Sequence, residues 1–165
     1  MFCPARGRVV SSKWVFKVKR QSDGSTERYK ARLVARGFSQ KPGIDYDETF
    51  APVAKFQSIR LLLALAAMHD LELHQMDVKT AFLYGSLEEL VFMEQPEGFE
   101  RGKGMVWQLN KALYGLKQSP RAWYKELDAA LKSLGFTRTI SDHSIYVRTA
   151  PRASSLWVSM WMTSP

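Results

Sequence analysis

The chain has 165 residues, 45% of them hydrophobic, and a formal net charge of +8, which suits one globular domain with a real core or a piece of a larger one. Its single cysteine, Cys3, excludes a disulfide framework and a cysteine zinc cluster. No run approaches a membrane span, since Ile59 to Met68 is too short and bounded by Arg60 and His69, and Met1 to Arg6 lacks the apolar stretch of a signal peptide. The expected setting is therefore intracellular, in cytoplasm or nucleus, with no membrane partner.

The charge is concentrated. Residues 1–41 hold eleven Lys or Arg (Arg6, Arg8, Lys13, Lys17, Lys19, Arg20, Arg28, Lys30, Arg32, Arg36 and Lys41) against Asp23 and Glu27, while the rest is near neutral. Such asymmetry suits a polyanion, because phosphate contacts release counterions and give affinity without sequence preference. A basic patch alone is as readily a solubilising face.

In chain order, Trp14 to Arg20 alternates as a half-buried strand does, Gln21 to Ser25 supplies a turn with Asp23-Gly24 at its centre, and Tyr29 to Phe38 resumes the extended pattern. Together they predict a basic hairpin ended by Lys41-Pro42-Gly43. Residues 54–69 carry Phe56, Ile59, Leu63, Ala66 and Ala67 at helical spacing, and Leu61, Leu62 and Leu65 fill much of the remaining circumference. This helix is expected to be buried on most sides. Leu71 to Val78 reads as a strand, and Phe82 to Gly85 as a short helical or looped segment. Leu90 to Met93 and Met105 to Leu109 are two more strands, separated by a loop containing Pro96, Gly98, Gly102 and Gly104.

Ser119-Pro120 predicts a helix start, Ser as N-cap and Pro at the first helical position. Trp123, Leu127, Ala130, Leu131 and Leu134 follow at helical spacing, and Gly135 is the expected C-terminal cap. Ser144 to Val147 is a final strand, and from Thr149 the pattern dissolves. The predicted class is α+β with a mostly antiparallel sheet and packed helices. The histidines, His69, His74 and His143, show no metal-ligand spacing.

Several ordered segments closely resemble the reverse transcriptase of Ty1/copia-type LTR retrotransposons. They are Ser12 to Lys17, Tyr29 to Phe38, Gly43 to Tyr46, Glu48 to Val53, Gln75-Met76-Asp77-Val78-Lys79-Thr80-Ala81-Phe82-Leu83, Glu94 to Phe99, and Leu113-Tyr114-Gly115-Leu116-Lys117-Gln118-Ser119-Pro120-Arg121. The resemblance covers residues 6–148 and implies the fingers and part of the palm of an RNA-directed DNA polymerase. It leaves 149–165 as an out-of-family tail, with no rest of the palm, thumb or RNase H region expected. Tyr84, where the family more often has Asn, is a minor departure.

The resemblance also assigns roles. It places Asp77 as the carboxylate that binds both catalytic Mg²⁺ ions and the Val78 carbonyl on the nucleotide-side ion. Two such ions need at least two converging carboxylates. Phe82 corresponds to the aromatic steric gate that leaves no room for a 2′-hydroxyl. Lys19, Arg20, Lys30 and Arg32 match the basic fingers hairpin over the incoming triphosphate. Gly115, Lys117, Ser119 and Pro120 match the support for template base and primer terminus. There Gly115 would let backbone approach nucleic acid closely. Implied partners are an RNA or DNA template-primer and deoxynucleotides; oligomeric state is open.

The tail departs from this pattern. Met and Trp have one codon each, so Met160 to Thr163 is encoded as ATG TGG ATG ACN under the standard code. Regrouped one base earlier, those bases read Val-Asp-Asp, and Tyr-Val-Asp-Asp if the Ser159 codon ends in T. The family carries that sequence at the tip of a catalytic hairpin, expected to begin near Leu156 to Ser159. The reading frame is therefore expected to slip between about Val147 and Leu156, which would remove two of three catalytic aspartates and destabilise the palm sheet. Three readings follow: a catalytically dead polymerase fragment, a surviving nucleic-acid-binding module built on the basic hairpin, or a decayed transposon product with no selected function.

Overall fold

A computed structural model describes residues 9–150 and 153–158. The chain divides into two compact units, Met1–Phe50 with Thr80–Trp123, and Ala51–Lys79 with Tyr124–Pro165. Its strands are β1 (Val9–Val10), β2 (Ser12–Arg20), β3 (Thr26–Ala35), β4 (Ser86–Glu94), β5 (Val106–Lys111), β6 (Thr137–Arg138), β7 (Ile145–Ala150) and β8 (Ala153–Val158). The helices are α1 (Phe56–Met68) and α2 (Ser119–Ser133), with 3₁₀ turns at Gly37–Ser39 and Ala81–Tyr84. The class is α+β, but the expected single sheet is three small ones: β1-β4-β5, β2-β3 and β6-β7-β8. β1 runs parallel to β4; every other strand pair is antiparallel.

In the first unit the predicted hairpin is present. β2 and β3 pair from Ser12↔Ala35 to Lys19↔Arg28, with an irregularity between Lys19 and Arg20. The turn closes through the Gly24 N–H on the Gln21 carbonyl (3.0 Å), with Gly24 at φ 85. Val10, Ala35, Val91, Met93 and Leu116 form the buried core of this unit, joined by Leu33, Leu87, Trp107, Leu109 and Leu113.

Ser119 does not cap α2 as expected. The Gln118 carbonyl accepts the first intrahelical bond from Ala122 N–H (2.9 Å), and the Ser119 hydroxyl instead donates to the Leu113 carbonyl. Pro120 moves one place into the helix, where its missing N–H still belongs to the unsatisfied first turn.

In the second unit Gly135 ends α2 as anticipated, at φ 83. Phe136 N–H reaches the Leu131 carbonyl and Gly135 N–H reaches that of Lys132, each at 3.0 Å. α1 ends the same way, with Asp70 in the left-handed position (φ 51) and Leu71 N–H on the Ala66 carbonyl (2.9 Å).

Three expectations fail here. Among the described residues of this unit α1 buries only Ala66, and Phe56, Leu61, Leu63 and Met68 are exposed. An all-round apolar pattern requires neighbours on every side, and these residues meet them on one side only. Leu71 to Val78 is exposed and forms no strand, because a strand needs a hydrogen-bonding neighbour and β6, β7 and β8 pair among themselves. The pattern does not dissolve at Thr149: β7 continues to Ala150, and β8 pairs along it from Ala150↔Ala153 to Ile145↔Val158. Backbone pairing tolerates the polar composition that hid it. The Ser159 to Thr163 segment that carries the frame-slip reading lies outside the described residues.

A polar cluster ties α2 to β6 and β7. Tyr146, fully buried, donates to Asp128 (2.8 Å), Lys132 pairs with the same carboxylate (2.7 Å), and Arg138 donates to the Tyr124 hydroxyl. Burial, with the Tyr124 and Asp128 hydrogen bonds, pushes the Tyr146 phenol far up, so it stays a donor. Burial raises the Asp128 carboxyl, but its bonds to Lys132 and Tyr146 outweigh this and hold it below the usual range. Tyr146→Phe is expected to cost about 1–2 kcal/mol, read as a lowered denaturant midpoint at unchanged slope.

Candidate nucleotide and nucleic-acid interface

Strand alternation and the β2–β3 register sort the hairpin into two faces. One carries Lys13, Val15, Lys17 and Lys19 from β2, with Arg28, Lys30, Arg32 and Val34 from β3; the other carries Trp14, Phe16, Val18, Tyr29, Ala31 and Leu33. Lys17 lies directly opposite Lys30, and Lys19 opposite Arg28. Like charges so placed repel, and Glu27 lies 3.7 Å from the Arg28 guanidinium.

Arg20, one residue past Lys19 and beyond the irregularity, turns its guanidinium to the Gly24 carbonyl of the hairpin's own turn (3.1 Å). On the aromatic face Trp14 stacks on Phe16 (centroids 6.4 Å apart), meets Phe99 at 5.7 Å and donates its indole N–H to the Glu97 carbonyl. Phe16 and Tyr29 remain 75% and 81% exposed.

Arg32 connects this face to two other elements of the unit. Its guanidinium carbon stands 5.9 Å from the Tyr114 ring centroid, and Tyr114 meets Phe82 edge-to-face at 4.8 Å and 70°. Phe82 lies on the 3₁₀ turn Ala81–Tyr84, entered through Thr80 at φ 54. Arg32 and Phe82, fifty residues apart, therefore share one neighbour. Nothing in the sequence pattern marks Tyr114's position between them, because edge-to-face packing leaves no periodic signature.

Gly115 has a reason to be glycine within the fold itself. At φ +93, a Cβ there would lie 2.0 Å from the Ala35 carbonyl oxygen and 2.8 Å from Val34. The close approach is to β3 of the protein itself. Gly37 answers it, since a Cβ there would lie 2.1 Å from the Gly115 oxygen. The loop is held further by the Lys117 N–H on Gln40 Oε1 (2.9 Å) and by the buried Gln40–Gln118 amide pair (3.0 Å). Lys117 is exposed, Ser119 is buried with its hydroxyl on Leu113, and Pro120 is half-buried. Beside this junction a pocket of about 360 Å³ is lined by Lys13, Val34, Ala35, Arg36, Gly37, Phe38 and Gly115. Lys13 and Arg36 belong to the basic stretch but not to the individual nucleotide or template contacts expected from the resemblance.

Asp77 and Val78 belong to the second unit, both exposed in the unpaired segment. The described residues do not fit a magnesium pair. No three His, Cys, Asp or Glu among them gather to hold a metal ion.

Comparison with known proteins decides the family. Residues 2–163 match the family described as reverse transcriptase (RNA-dependent DNA polymerase). The chain belongs to the reverse transcriptase family. Over 147 residues, 88% of this chain and 11% of the relative, it is 56% identical to the retrovirus-related Pol polyprotein from transposon TNT 1-94 of Nicotiana tabacum. It is 49% identical to that from transposon RE1 of Arabidopsis thaliana, over 87% of this chain and 10% of the relative. Against the transposon Ty1-BL Gag-Pol polyprotein of Saccharomyces cerevisiae it is 32% identical, over 75% and 7%. No solved structure matches. This copia-type reverse transcriptase fragment thus spans about a tenth of the length of the polyproteins it matches.

Proposed function

We propose that the chain is the fingers and partial palm (residues 6–148) of a copia-type RNA-directed DNA polymerase. In this reading it binds template-primer and deoxynucleotides inside the cell and does not extend primers by itself. The observation that carries the reading is the cationic hairpin face joined through Arg32 and Tyr114 to Phe82. Lys30 and Arg32 take the triphosphate, Lys as a point charge and Arg in bidentate fashion. Lys19 and Arg20 extend the positive field, and Phe82 lies under the sugar. From Lys13 to Lys19 the face runs about 20 Å. That is the axial length of about six nucleotides of one duplex strand, longer than a triphosphate can use. Template backbone therefore occupies the rest, with Gly115, Lys117, Ser119 and Pro120 forming the supporting loop.

Mg²⁺ supplies charge neutralisation and an activated primer hydroxyl where a complete carboxylate cage binds it. Asp77, with the Val78 carbonyl, is one member of such a cage, and the reading derives no catalytic step from one member. The hairpin's contribution needs no metal, which favours nucleic-acid binding as the function that survives in this chain.

Binding of a fluorescent primed RNA template across a salt series tests this. Log K is expected to fall with log salt at a slope of about −4 to −5, and Lys17→Ala with Lys30→Ala to reduce the slope by about 2. A slope near zero, or one unmoved by the substitutions, refutes binding through the hairpin. Primer extension in Mg²⁺ is expected to be absent, and extension lost on Asp77→Ala would refute that part.

A further inference from the structure

Resting on the reading of the cationic hairpin face as a nucleic-acid surface, we infer that the pocket beside Gly115 holds one unpaired nucleotide of the bound strand. Its phosphate lies on Lys13 and Arg36, and its base stacks on Phe38. These three residues, with Val34 and Gly115, are among those lining about 360 Å³. Small-molecule sites occupy about 300–1,000 Å³, so this volume is room for one nucleotide rather than a run of them. The lining is of two kinds. Lys13 and Arg36 are exposed, and among the described residues neither meets an acidic side chain, whereas Arg28 and Arg121 of the same unit meet Glu27 and Glu48. Two unpaired cations at one hollow favour an anion, and Arg can hold a phosphate in bidentate fashion. Val34 and Phe38 supply the apolar part. An anionic group beside an apolar surface is the chemistry of a nucleotide, not of a phosphate ion alone.

Phe38 is 79% exposed, yet its backbone is held on both sides. The Ser39 N–H and hydroxyl both donate to the Arg36 carbonyl (3.2 and 3.0 Å), and the Gln40 N–H donates to that of Gly37 (3.1 Å). Gly37 itself is pressed against the Gly115 carbonyl. A ring presented to solvent from a fixed turn is a platform on which a base stacks with little ordering cost. The pocket also continues the cationic face. Lys13 stands directly across from Val34 on that face, so a strand whose phosphates follow Lys17 and Lys30 reaches the pocket at its end. Bases inside a duplex are stacked on both sides, so only an unpaired nucleotide can offer a free face to Phe38.

The test is equilibrium binding of the purified chain to two fluorescent probes, a blunt RNA–DNA duplex and the same duplex with an unpaired template overhang. Wild type is expected to bind the overhang probe more tightly. Phe38→Ala should weaken the overhang probe by about 5- to 100-fold and leave the blunt one unchanged, which also shows that the variant is folded. Phe38→Trp, which keeps a stacking ring, should keep the preference. Lys13→Ala and Arg36→Ala should each lower the salt slope on the overhang probe by about 1. An abasic overhang should bind wild type no better than the intact overhang binds Phe38→Ala. Equal weakening of both probes by Phe38→Ala, or of neither, overturns the nucleotide pocket alone. If neither probe responds to Lys17→Ala with Lys30→Ala, the hairpin reading has failed, and the pocket falls with it.

Discussion

Gly115→Ala is expected to destabilise the first unit by roughly 2–6 kcal/mol, the sum of backbone strain and overpacking, each about 1–3 kcal/mol. Gly115 adopts φ +93, and the added methyl would lie 2.0 Å from the Ala35 oxygen. That oxygen is backbone in β3, so no side chain can swing away to relieve the contact. Moving the loop instead would break the Ala35 N–H bond to the Tyr114 carbonyl and the Lys117 N–H bond to Gln40. Two controls divide the effect. Gly24 has nearly the same φ (+85) with open space around its Cβ, so Gly24→Ala should show strain alone, about 1 kcal/mol. Gly37 is crowded without a positive φ, its Cβ 2.1 Å from the Gly115 oxygen, so Gly37→Ala should show overpacking alone. Denaturant midpoints of the three variants check the partition, and a Gly115→Ala midpoint no lower than that of Gly24→Ala would refute the backbone crowding.

The contrast between the hairpin and the second unit shows what a one-dimensional pattern can reveal. Trp14 to Arg20 and Tyr29 to Phe38 alternate, and an Asp-Gly turn joins them, so local sequence alone specifies both pairing and register. Gly135 was equally legible, because a helix end that needs a left-handed residue announces itself. Leu71 to Val78 has the composition of a strand, but a strand exists only beside another, and its own residues do not say which neighbour is present. For α1 the same reasoning applies. Its leucines report that it is adapted to be covered, not that something covers it here. Asp70, an Asp doing a glycine's work at the end of α1, was missed because Asp enters that conformation only occasionally. At the candidate interface the residue types were readable from the motifs: cations, an aromatic and a tight glycine. The junction of Arg32, Tyr114 and Phe82 was not, since it depends on three elements meeting.

Asp142 is the strongest case of a residue whose importance is invisible in sequence, and Asp142→Ala is expected to cost the second unit about 3–4 kcal/mol. α1 begins at Lys55 with no side-chain cap of its own. Asp142, 87 residues away, supplies one: its Oδ2 accepts the Lys55 N–H (3.1 Å) and the Ser58 hydroxyl (2.7 Å), while its Oδ1 accepts the Ser144 N–H (3.0 Å). One carboxylate thus satisfies the helix start and the turn before β7, and its charge complements the positive end of the helix. Burial pushes the Asp142 carboxyl up, but the hydrogen bonds from Ser58, Ser144 and Lys55 outweigh it and hold the group below the usual carboxylate range. A folded value below the unfolded one contributes stability that is fully present above about pH 4–5 and lost as pH falls through the lowered folded value. Asp142→Asn keeps one acceptor oxygen and cannot ionise, so it should cost less, about 1–2 kcal/mol at pH 7, and flatten the acid limb. Asp128 and Asp23, which are also held low, contribute to the slope that remains. Urea unfolding of wild type and Asp142→Asn at pH 7 and pH 3 measures both quantities. If the two proteins lose the same stability between those pH values, the ionised Asp142 is not what holds the start of α1.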